Sequence, residues 1–371
     1  MSLPVPDLMS PENGARFASN LLDWYDVAAR TLPWRTSPAD RAAGIIPDPY
    51  HVWLSEVMLQ QTTVGAVKAY FEAFITKWPT VNDLARAETD DVMKVWAGLG
   101  YYSRARNLKK CAEHISNELG GKFPDSVDGL LKLPGVGDYT ASAIAAIAFD
   151  RQTAPIDGNF KRVYARLLEI EVPPEEAKAE INMAVLAAIP KDRPGDFVQA
   201  LMDLGASICS PKTPGCLTCP VGAHCSARAN GTALDYPKKK PKGEKRTRSG
   251  FAYVLVRKGD GAVFLQKRPE KGLLGGMSEV PGSDWHKRSA EGDSTMTPPV
   301  KGDWRSSGEI THKFTHFHLK LKVFSLEVVD INRTGGWWSK PNQLAEEALP
   351  TVMKKAIAAV LPDAFKQRSK S

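Results

Sequence analysis

The chain has 371 residues, enough for two or three domains that each have a core of their own. It contains no apolar run near the roughly 20 residues that cross a bilayer, and Met1–Asn13 lacks the pattern of a secretory signal, so we expect a cytoplasmic protein with no membrane partner. The formal charge is +7, of which +6 comes from the linker-like run Pro237–Arg248 (PKKKPKGEKRTR), so attraction to nucleic acid would depend on local basic patches.

The first two thirds of the chain predict an all-α domain. From about Ala15 to Arg228, apolar residues recur at helical spacing, most clearly in Asp90–Ala97, Ala141–Phe149 and Phe160–Leu168. Glycine and proline separate these segments, and no alternation of strands with helices appears. A parallel sheet is therefore not expected here.

The last third predicts an α+β domain. Phe251–Arg257 and Ala262–Arg268 flank the turn KGDG and predict a β-hairpin. His316–Val328 alternates apolar and polar residues, as a half-buried strand does. Leu344–Leu361 predicts a closing amphipathic helix in spite of Pro350 near its middle.

These patterns predict three segments. Residues 1–235 form the helical domain, residues 236–249 a basic linker, and residues 250–371 the α+β domain. Ser283–Lys301 is rich in Ser, Thr, Pro and charge, and predicts a surface loop.

Four of the five cysteines lie close together, with the spacing C-x6-C-x2-C-x5-C: Cys209, Cys216, Cys219 and Cys225. In a reducing compartment such a group favours metal or cluster ligation over disulfides. Zinc suits four thiolates, but the wide first gap differs from the paired spacing of zinc ribbons. The spacing resembles the iron–sulfur loop of the endonuclease III superfamily of DNA repair enzymes, and the resemblance implies a [4Fe–4S] cluster bound by loop 209–225.

Leu133–Thr140 (LPGVGDYT) resembles the helix-hairpin-helix of the same superfamily. Gly135 and Gly137 permit backbone conformations and close approach that a side chain would block. With Val136 between them, they would turn backbone N–H groups toward a phosphate at the start of the next helix. Such a grip holds DNA without reading its sequence; a plain helix–helix turn is the alternative.

Asp157, in the string PIDGN, directly precedes a predicted helix and suits its N-cap. The family resemblance implies that this residue is also the catalytic aspartate. Both roles can hold at once, because a cap holds its carboxylate in place. Superfamily members that also cut the backbone carry a lysine four residues after the first hairpin glycine, where this chain has Tyr139. Tyrosine cannot form a Schiff base, so we expect base removal without strand cleavage.

Glu56 lies in Ser55–Thr62 (SEVMLQQT), with Trp53 and Leu59 as helical neighbours. An acid against such a surface is desolvated, which raises its pKa and keeps a proton available near neutrality. The string closely resembles the catalytic helix of adenine DNA glycosylases of the MutY type. The alternative for Glu56 alone is a solvent-facing position on an amphipathic helix.

The resemblance to that family extends over nearly the whole chain and implies a role for each matching residue. Glu56 would protonate adenine at N7 while Asp157 stabilises the oxocarbenium-like sugar, a two-carboxylate scheme parallel to glycoside hydrolysis. The centre would be ordered by Tyr139 and Asn159. Trp34 and Arg35 would help line the pocket for the flipped-out adenine. Gln61 and Tyr101 would fill the gap that this base leaves in the duplex.

The second domain resembles the Nudix-like domain of the same family. Active Nudix hydrolases hold Mg²⁺ on an acidic helix, whereas here Gly272–Glu279 is followed by VPGSDW and no acidic helix. The resemblance implies recognition of 8-oxoguanine by a loop that usually reads Phe-Ser-His. The matching residues are Phe314, Thr315 and His316, in which the threonine keeps the hydroxyl and adds a methyl group.

We therefore expect a monomeric DNA glycosylase that removes adenine from duplex DNA where adenine is mispaired with 8-oxoguanine or guanine. If the source is bacterial, it would be associated with the nucleoid. Three rival functions compete with this one: an endonuclease III-like glycosylase/lyase, a non-catalytic iron–sulfur DNA-binding protein, and a nucleotide pyrophosphatase. Tyr139 and Glu56 argue against the first, and the missing acidic helix argues against the last.

Overall fold

The computed structural model describes residues 10–240, 245–270, 272–287, 296–331 and 334–365, with only the backbone at His286 and Lys287. The chain divides into two compact units. The first draws on Met1–Ala87 and Asn107–Pro241, and the second on Glu88–Arg106 and Lys242–Ser371. No helix among the described residues is long and apolar enough to span a membrane.

The helices of the first two thirds confirm the predicted all-α character. In chain order they are α1 (Pro11–Ala28), α2 (Pro38–Ala42), α3 (Pro49–Leu59), α4 (Val64–Lys77), α5 (Val81–Arg86), α6 (Thr89–Trp96), α7 (Ser103–Glu118), α8 (Val127–Leu131), α9 (Asp138–Phe149), α10 (Gly158–Leu167), α11 (Lys178–Ala188), α12 (Pro194–Ser207) and α13 (Ser226–Ala229). Two short 3₁₀ turns, Cys216–Thr218 and Gly222–His224, lie between α12 and α13.

Local sequence accounts for where many of these helices begin. The side chains of Ser10, Asp48, Thr63, Thr80, Ser126 and Asp157 each accept a hydrogen bond from a backbone N–H in the first turn of the helix that follows. These are the residue types that best satisfy the free N–H groups at a helix start. Proline near the first position reinforces the start of α1 and α3.

Helix α9 lies at the centre of the first unit, and α3, α8 and α12 pack against it. Its sequence, DYTASAIAAIAF, is rich in alanine, and eight of its twelve residues are buried. Small side chains let neighbouring helices approach closely. As a result, α3 and α12 bring their own side chains near the N-terminal end of α9.

The second unit holds a mixed sheet with strand order β3-β2-β1-β6-β5, to which β4 is added on β1 and β7 on β2. The strands are β1 (Arg246–Arg257), β2 (Val263–Lys267), β3 (Ser278–Glu279), β4 (His286–Lys287), β5 (Arg305–Lys313), β6 (Phe317–Val328) and β7 (Gly336–Ser339). Strands β1 and β6 run parallel along their full length. Helix α14 (Thr351–Ala358) packs its apolar side into the core of this sheet.

The predicted hairpin is confirmed as β1 and β2, and the predicted strand as β6. Two expectations need correction. Strand β1 begins at Arg246, inside the predicted linker, because it pairs with β6 from that residue onward. The closing helix does not run through Pro350, which is instead the N-cap of α14; proline lacks the N–H that a helix interior requires.

The second unit also includes Glu88–Arg106, which the sequence pattern places in the helical domain. Specific contacts explain this assignment. Lys267 Nζ lies 2.6 Å from Asp90 Oδ1, and the Arg106 guanidinium donates to the carbonyl of Gly275. Within the predicted loop Ser283–Lys301, β4 pairs with β1, and residues 288–295 lie outside the described residues.

Candidate active site

A cavity of about 900 Å³ opens in the first unit, where the N-terminal ends of α9 and α10 meet α3. It brings together nine residues that the sequence predicts to be functional: Trp34, Arg35, Glu56, Gln61, Gly135, Gly137, Tyr139, Asp157 and Asn159. These residues span more than 120 positions of sequence. Their convergence on one cavity is the main structural result.

Glu56 is 6% exposed on α3. The hydroxyl of Tyr139 donates a hydrogen bond to its Oε2 at 2.8 Å. Burial raises the pKa of Glu56 to about 7; the bond from Tyr139 and the charge of Arg35 oppose this rise, whereas the charge of Asp157 adds to it. Burial also raises the pKa of Tyr139 well above its usual value, so its hydroxyl keeps the proton that it donates.

Asp157 is the N-cap of α10, as the sequence predicts. Its Oδ1 accepts from the backbone N–H groups of Asn159 and Phe160, both at 2.8 Å, and its Oδ2 accepts from Asn159 Nδ2 at 2.9 Å. Burial raises the pKa of Asp157, and these three hydrogen bonds oppose the rise because they stabilise the ionised carboxylate. The carboxylate is therefore fixed in place with its charge supported.

Arg162, which no sequence motif singles out, fixes the orientation of Asn159. Its Nη2 donates to Asn159 Oδ1 at 2.8 Å and to the carbonyl of Gly205 at 2.6 Å. Its Nε donates to the carbonyl of Cys209 at 2.8 Å. Because Oδ1 of Asn159 is engaged by a donor, Nδ2 is the atom that reaches Asp157.

The turn before α9 presents exposed backbone at Gly135 and Gly137. Gly135 has φ +75°, and a Cβ there would lie 2.5 Å from Asn107 Cβ, so only glycine fits. Gly137 caps α9 without a side-chain hydrogen bond to its first turn, which leaves N–H groups for an anion. Val136 differs from its neighbours, since it is buried and its N–H donates to the carbonyl of Leu133.

A buried acid pairs with two arginines that line the cavity. Asp203 on α12 is fully buried; its Oδ2 lies 2.7 Å from Arg35 Nη1, and its Oδ1 lies 2.6 Å from Arg30 Nε. Trp34, 7% exposed, packs edge-on against Phe71. Sequence reasoning misses Asp203 and Arg30, because one acid on an amphipathic helix carries no signal until its partners are known.

Gln61 and Tyr101, the residues predicted to enter the duplex, are both exposed and both have left-handed backbone, with φ of 56° and 47°. Residues other than glycine rarely adopt this conformation, and it is concentrated at functional sites. The two lie in different units. Each of the two residues therefore has an unusual backbone conformation within its own unit.

In the second unit, Phe314, Thr315 and His316 form the tight turn between β5 and β6, closed by the N–H of Phe314 donating to the carbonyl of Phe317. Phe314 stacks on Phe317, and the two ring centres are 4.7 Å apart. The hydroxyl of Thr315 is hydrogen-bonded to that of Tyr101. These residues line a cavity of about 330 Å³.

The four clustered cysteines are partly buried after α12. Burial, followed by the charges of neighbouring cysteines, raises the pKa of Cys219 and of Cys225 to about 11, so the loop gathers the thiols. Arg166 Nη1 lies 3.3 Å from Cys209 Sγ. The fifth cysteine, Cys111, is buried on α7.

Within the described residues, no three His, Cys, Asp or Glu side chains are grouped tightly enough to hold one metal ion. Four thiolates around one zinc would stand only about 3.8 Å apart, from Zn–S bonds of about 2.3 Å in a tetrahedron. A [4Fe–4S] cluster takes one thiolate at each iron and needs a wider set. The four thiols of this loop supply the thiolate donors that either group requires.

The fold and this cavity define the chain as a base excision DNA repair protein of the helix-hairpin-helix class, with a Nudix-like second domain. The family model for HhH-GPD superfamily base excision DNA repair proteins matches residues 54–187, and the model for the NUDIX domain matches residues 252–359. A solved thermostable thymine-DNA glycosylase has a TM-score of 0.52 and 31% identity, covering 59% of this chain and 98% of that protein.

Along most of its length the chain resembles adenine DNA glycosylases. It is 35% identical to the adenine DNA glycosylase of Homo sapiens, in an alignment that covers 91% of this chain and 73% of that protein. It is 32% identical to that of Buchnera aphidicola subsp. Schizaphis graminum, covering 88% and 93%. The chain belongs to the adenine DNA glycosylase family, whose members are hydrolases of the N-glycosidic bond.

Proposed function

We propose that this enzyme excises adenine mispaired with 8-oxoguanine or guanine in duplex DNA, acting as a monomer in the cytoplasm. The observation that carries the chemistry is a pair of carboxylates, the buried Glu56 and the half-buried Asp157, lining one cavity in different hydrogen-bond environments. One suits an acid and the other an anion, and release of a base from deoxyribose needs both.

Glu56 serves as the general acid. With a pKa of about 7, a large share of the side chain is protonated near neutrality. Tyr139 occupies Oε2 as a donor, which leaves Oε1 to carry the proton toward N7 of a flipped-out adenine. A protonated purine is a far better leaving group, so the N-glycosidic bond breaks with the electron pair going to the base.

Asp157 serves as the anion that stabilises the positive charge on the sugar. Its three N–H donors hold the carboxylate still and favour ionisation. A fixed charge in a partly buried site stabilises an oxocarbenium-like transition state without reorganisation. Water then adds to C1′ and gives one proton to the ionised Glu56 carboxylate, which restores the acid and leaves an abasic site.

The strand is left uncut because Tyr139 stands where bifunctional relatives carry a lysine. Its hydroxyl is engaged with Glu56 and forms no Schiff base. Among the residues that line the cavity, Lys178 supplies an amine; it is 63% exposed and lies 4.0 Å from Asp138. Strong borohydride trapping of wild-type protein on its DNA would contradict a monofunctional enzyme, and Lys178→Ala would test whether weak trapping is adventitious.

The second unit supplies lesion recognition. Thr315 is exposed at the tip of a tight turn and shares a hydrogen bond with Tyr101. The hydroxyl at this tip can bond to the edge of an oxidised guanine, while the ring of Tyr101 stacks in the duplex. Tyr101 and Thr315 would act as one element, because both belong to this unit.

A [4Fe–4S] cluster, held by the four clustered cysteines, would cross-link the loop 209–225 when bound. Arg166 donates to Cys209 Sγ and to the carbonyl of Ser210, so the chain orders one end of this loop itself. Arg162 links the carbonyl of Cys209 to Asn159. The loop and the catalytic aspartate are therefore connected by a chain of hydrogen bonds through Arg162 and Asn159.

Single-turnover release of adenine opposite 8-oxoguanine, guanine and thymine tests the proposal. We expect the fastest release opposite 8-oxoguanine and the slowest opposite thymine, and we expect Thr315→Ala to reduce this preference. Thr311→Ala, at an exposed position of β5 in the same hairpin, is the matched control. Equal rates in all three contexts would refute lesion recognition, and release unaffected by Glu56→Gln would refute the catalytic assignment.

A further inference from the structure

Gly205 occupies an unusual position for a glycine. It is buried in the last turns of α12, and its backbone is helical, since it is not among the residues with positive φ. Glycine is the least favourable residue in a helix after proline. Neither the backbone angle nor helix propensity therefore explains its presence.

Space explains it. A Cβ at position 205 would lie 2.6 Å from Asn159 Cβ and 3.0 Å from Asn159 Cγ and Oδ1. Carbon atoms in contact prefer about 3.5–4.0 Å, so α10 and α12 would have to separate by about 1 Å. A rotamer change at Asn159 cannot relieve the contact, because its Cβ is fixed to the backbone.

The residue that would be displaced holds the catalytic aspartate. Asn159 donates from its backbone N and its Nδ2 to the two carboxylate oxygens of Asp157. On the other side, Arg162 Nη2 bridges Asn159 Oδ1 and the carbonyl of Gly205. Gly205 therefore affects the start of α10 in two ways. Its missing side chain leaves room for Asn159, and its carbonyl accepts a hydrogen bond from Arg162.

We infer that Gly205 is a positioning residue for base release: the absence of a side chain there sets the place of Asn159, and through it the place of the Asp157 carboxylate. The inference rests on the proposed role of Asp157. It goes further by predicting that one methyl group, added on a different helix and with no charge changed, slows the chemistry and leaves DNA binding intact.

The first test is Gly205→Ala. We expect the single-turnover rate of adenine release to fall about 100-fold, the effect of misplacing a catalytic group by about 1 Å. The Kd for duplex containing a non-cleavable 2′-fluoro-adenosine should change by less than about twofold, with unchanged visible absorbance. The thermal midpoint should be lowered, because the added contact overpacks α10 against α12. Gly65→Ala in α4, where an added Cβ meets nothing within 4 Å, is the control and should keep the wild-type rate.

The second test changes the residue that the added methyl group would contact. Asn159→Gly removes the Cβ that clashes, whereas Asn159→Ala keeps it. Gly205→Ala should therefore lower the rate further in the Asn159→Ala background and by less than about twofold in the Asn159→Gly background. If Gly205→Ala does not fold, the Gly205→Ala/Asn159→Gly protein should recover folding.

Two outcomes would overturn the inference: a wild-type rate for Gly205→Ala, or equal losses in the two Asn159 backgrounds. Failure of the double variant to recover folding would do the same. If the wild-type protein releases no adenine, the proposed function fails instead. The two failures are therefore separable.

Discussion

The raised pKa of Glu56 predicts how stability and activity should change together in Glu56→Gln. Burial is the largest cause of the rise from an ordinary value of 4.5 to about 7. Each tenfold change in acidity corresponds to about 1.4 kcal/mol, so the folded protein disfavours the ionised carboxylate by about 3 kcal/mol relative to the unfolded chain. Glutamine has nearly the same shape, accepts the hydrogen bond from Tyr139, and never ionises.

The sign of the effect follows from proton binding. The unfolded carboxyl loses its proton at pH 4.5 and the folded one near pH 7, so between these values the folded state binds more protons, and stability falls as pH rises. The contribution of protonated Glu56 is complete below pH 4.5 and lost as pH rises through 7. At pH 8 the variant should therefore be more stable than wild type by about 3 kcal/mol, and near pH 4 equally stable.

Thermal unfolding of both proteins between pH 4 and pH 8 measures this difference. For a unit of this size about 1 kcal/mol shifts the midpoint by roughly 2–4 °C, which predicts a gap of roughly 6–12 °C at pH 8 that closes at low pH. Single-turnover assays on the same samples should show no adenine release by the variant. Glu180→Gln, at an exposed position of α11, should match wild type throughout. A gap that is independent of pH, or a variant less stable than wild type at pH 8, would refute the reasoning.

Three further variants separate the remaining roles. Asp157→Asn should fold normally and bind DNA, since asparagine is also a good N-cap. It should release no adenine, because a neutral amide cannot offset the charge on the sugar. Residual release at more than about 1% of the wild-type rate would contradict the role of Asp157. Tyr139→Phe removes the hydrogen bond that lowers the pKa of Glu56, so the alkaline limb of the rate–pH profile should move to higher pH; an unmoved limb means that Tyr139 does not act on Glu56. Cys219→Ser should purify with less iron and weaker visible absorbance, and full iron content would exclude Cys219 as a ligand.

The sequence predicts the parts of this molecule that depend on local rules. Asp157 before an apolar-periodic segment predicts a capped helix, and α10 begins there. The alternation in His316–Val328 predicts a strand, and β6 follows it within one residue. Pro350 shows the opposite case: the predicted helix runs from Leu344 through this proline, whereas α14 begins only after it, as the local rule for proline requires.

What the sequence could not supply is pairing between distant segments. Nothing in the pattern of Glu88–Arg106 indicates that it belongs with the sheet unit, because its ion pair with Lys267 and its contact with Gly275 join residues about 170 positions apart. Asp203 is a similar case. An acid on an amphipathic helix is ordinary in sequence, and becomes notable only when two arginines are found on its carboxylate.

Three residues at or beside the site conflict with local rules. Glu56 places an acid among apolar neighbours, Gly205 places glycine inside a helix, and Gln61 takes a left-handed backbone. Each choice lowers stability, by about 0.5–1 kcal/mol for the glycine and about 1–3 kcal/mol for the backbone strain. Glu56 and Gln61 line the cavity, and Gly205 packs against Asn159 in its lining, so these departures from local rules point to function. The first two conflicts can be read from the amino-acid sequence, whereas the third shows only in the folded chain, because glutamine is unremarkable until its φ is known.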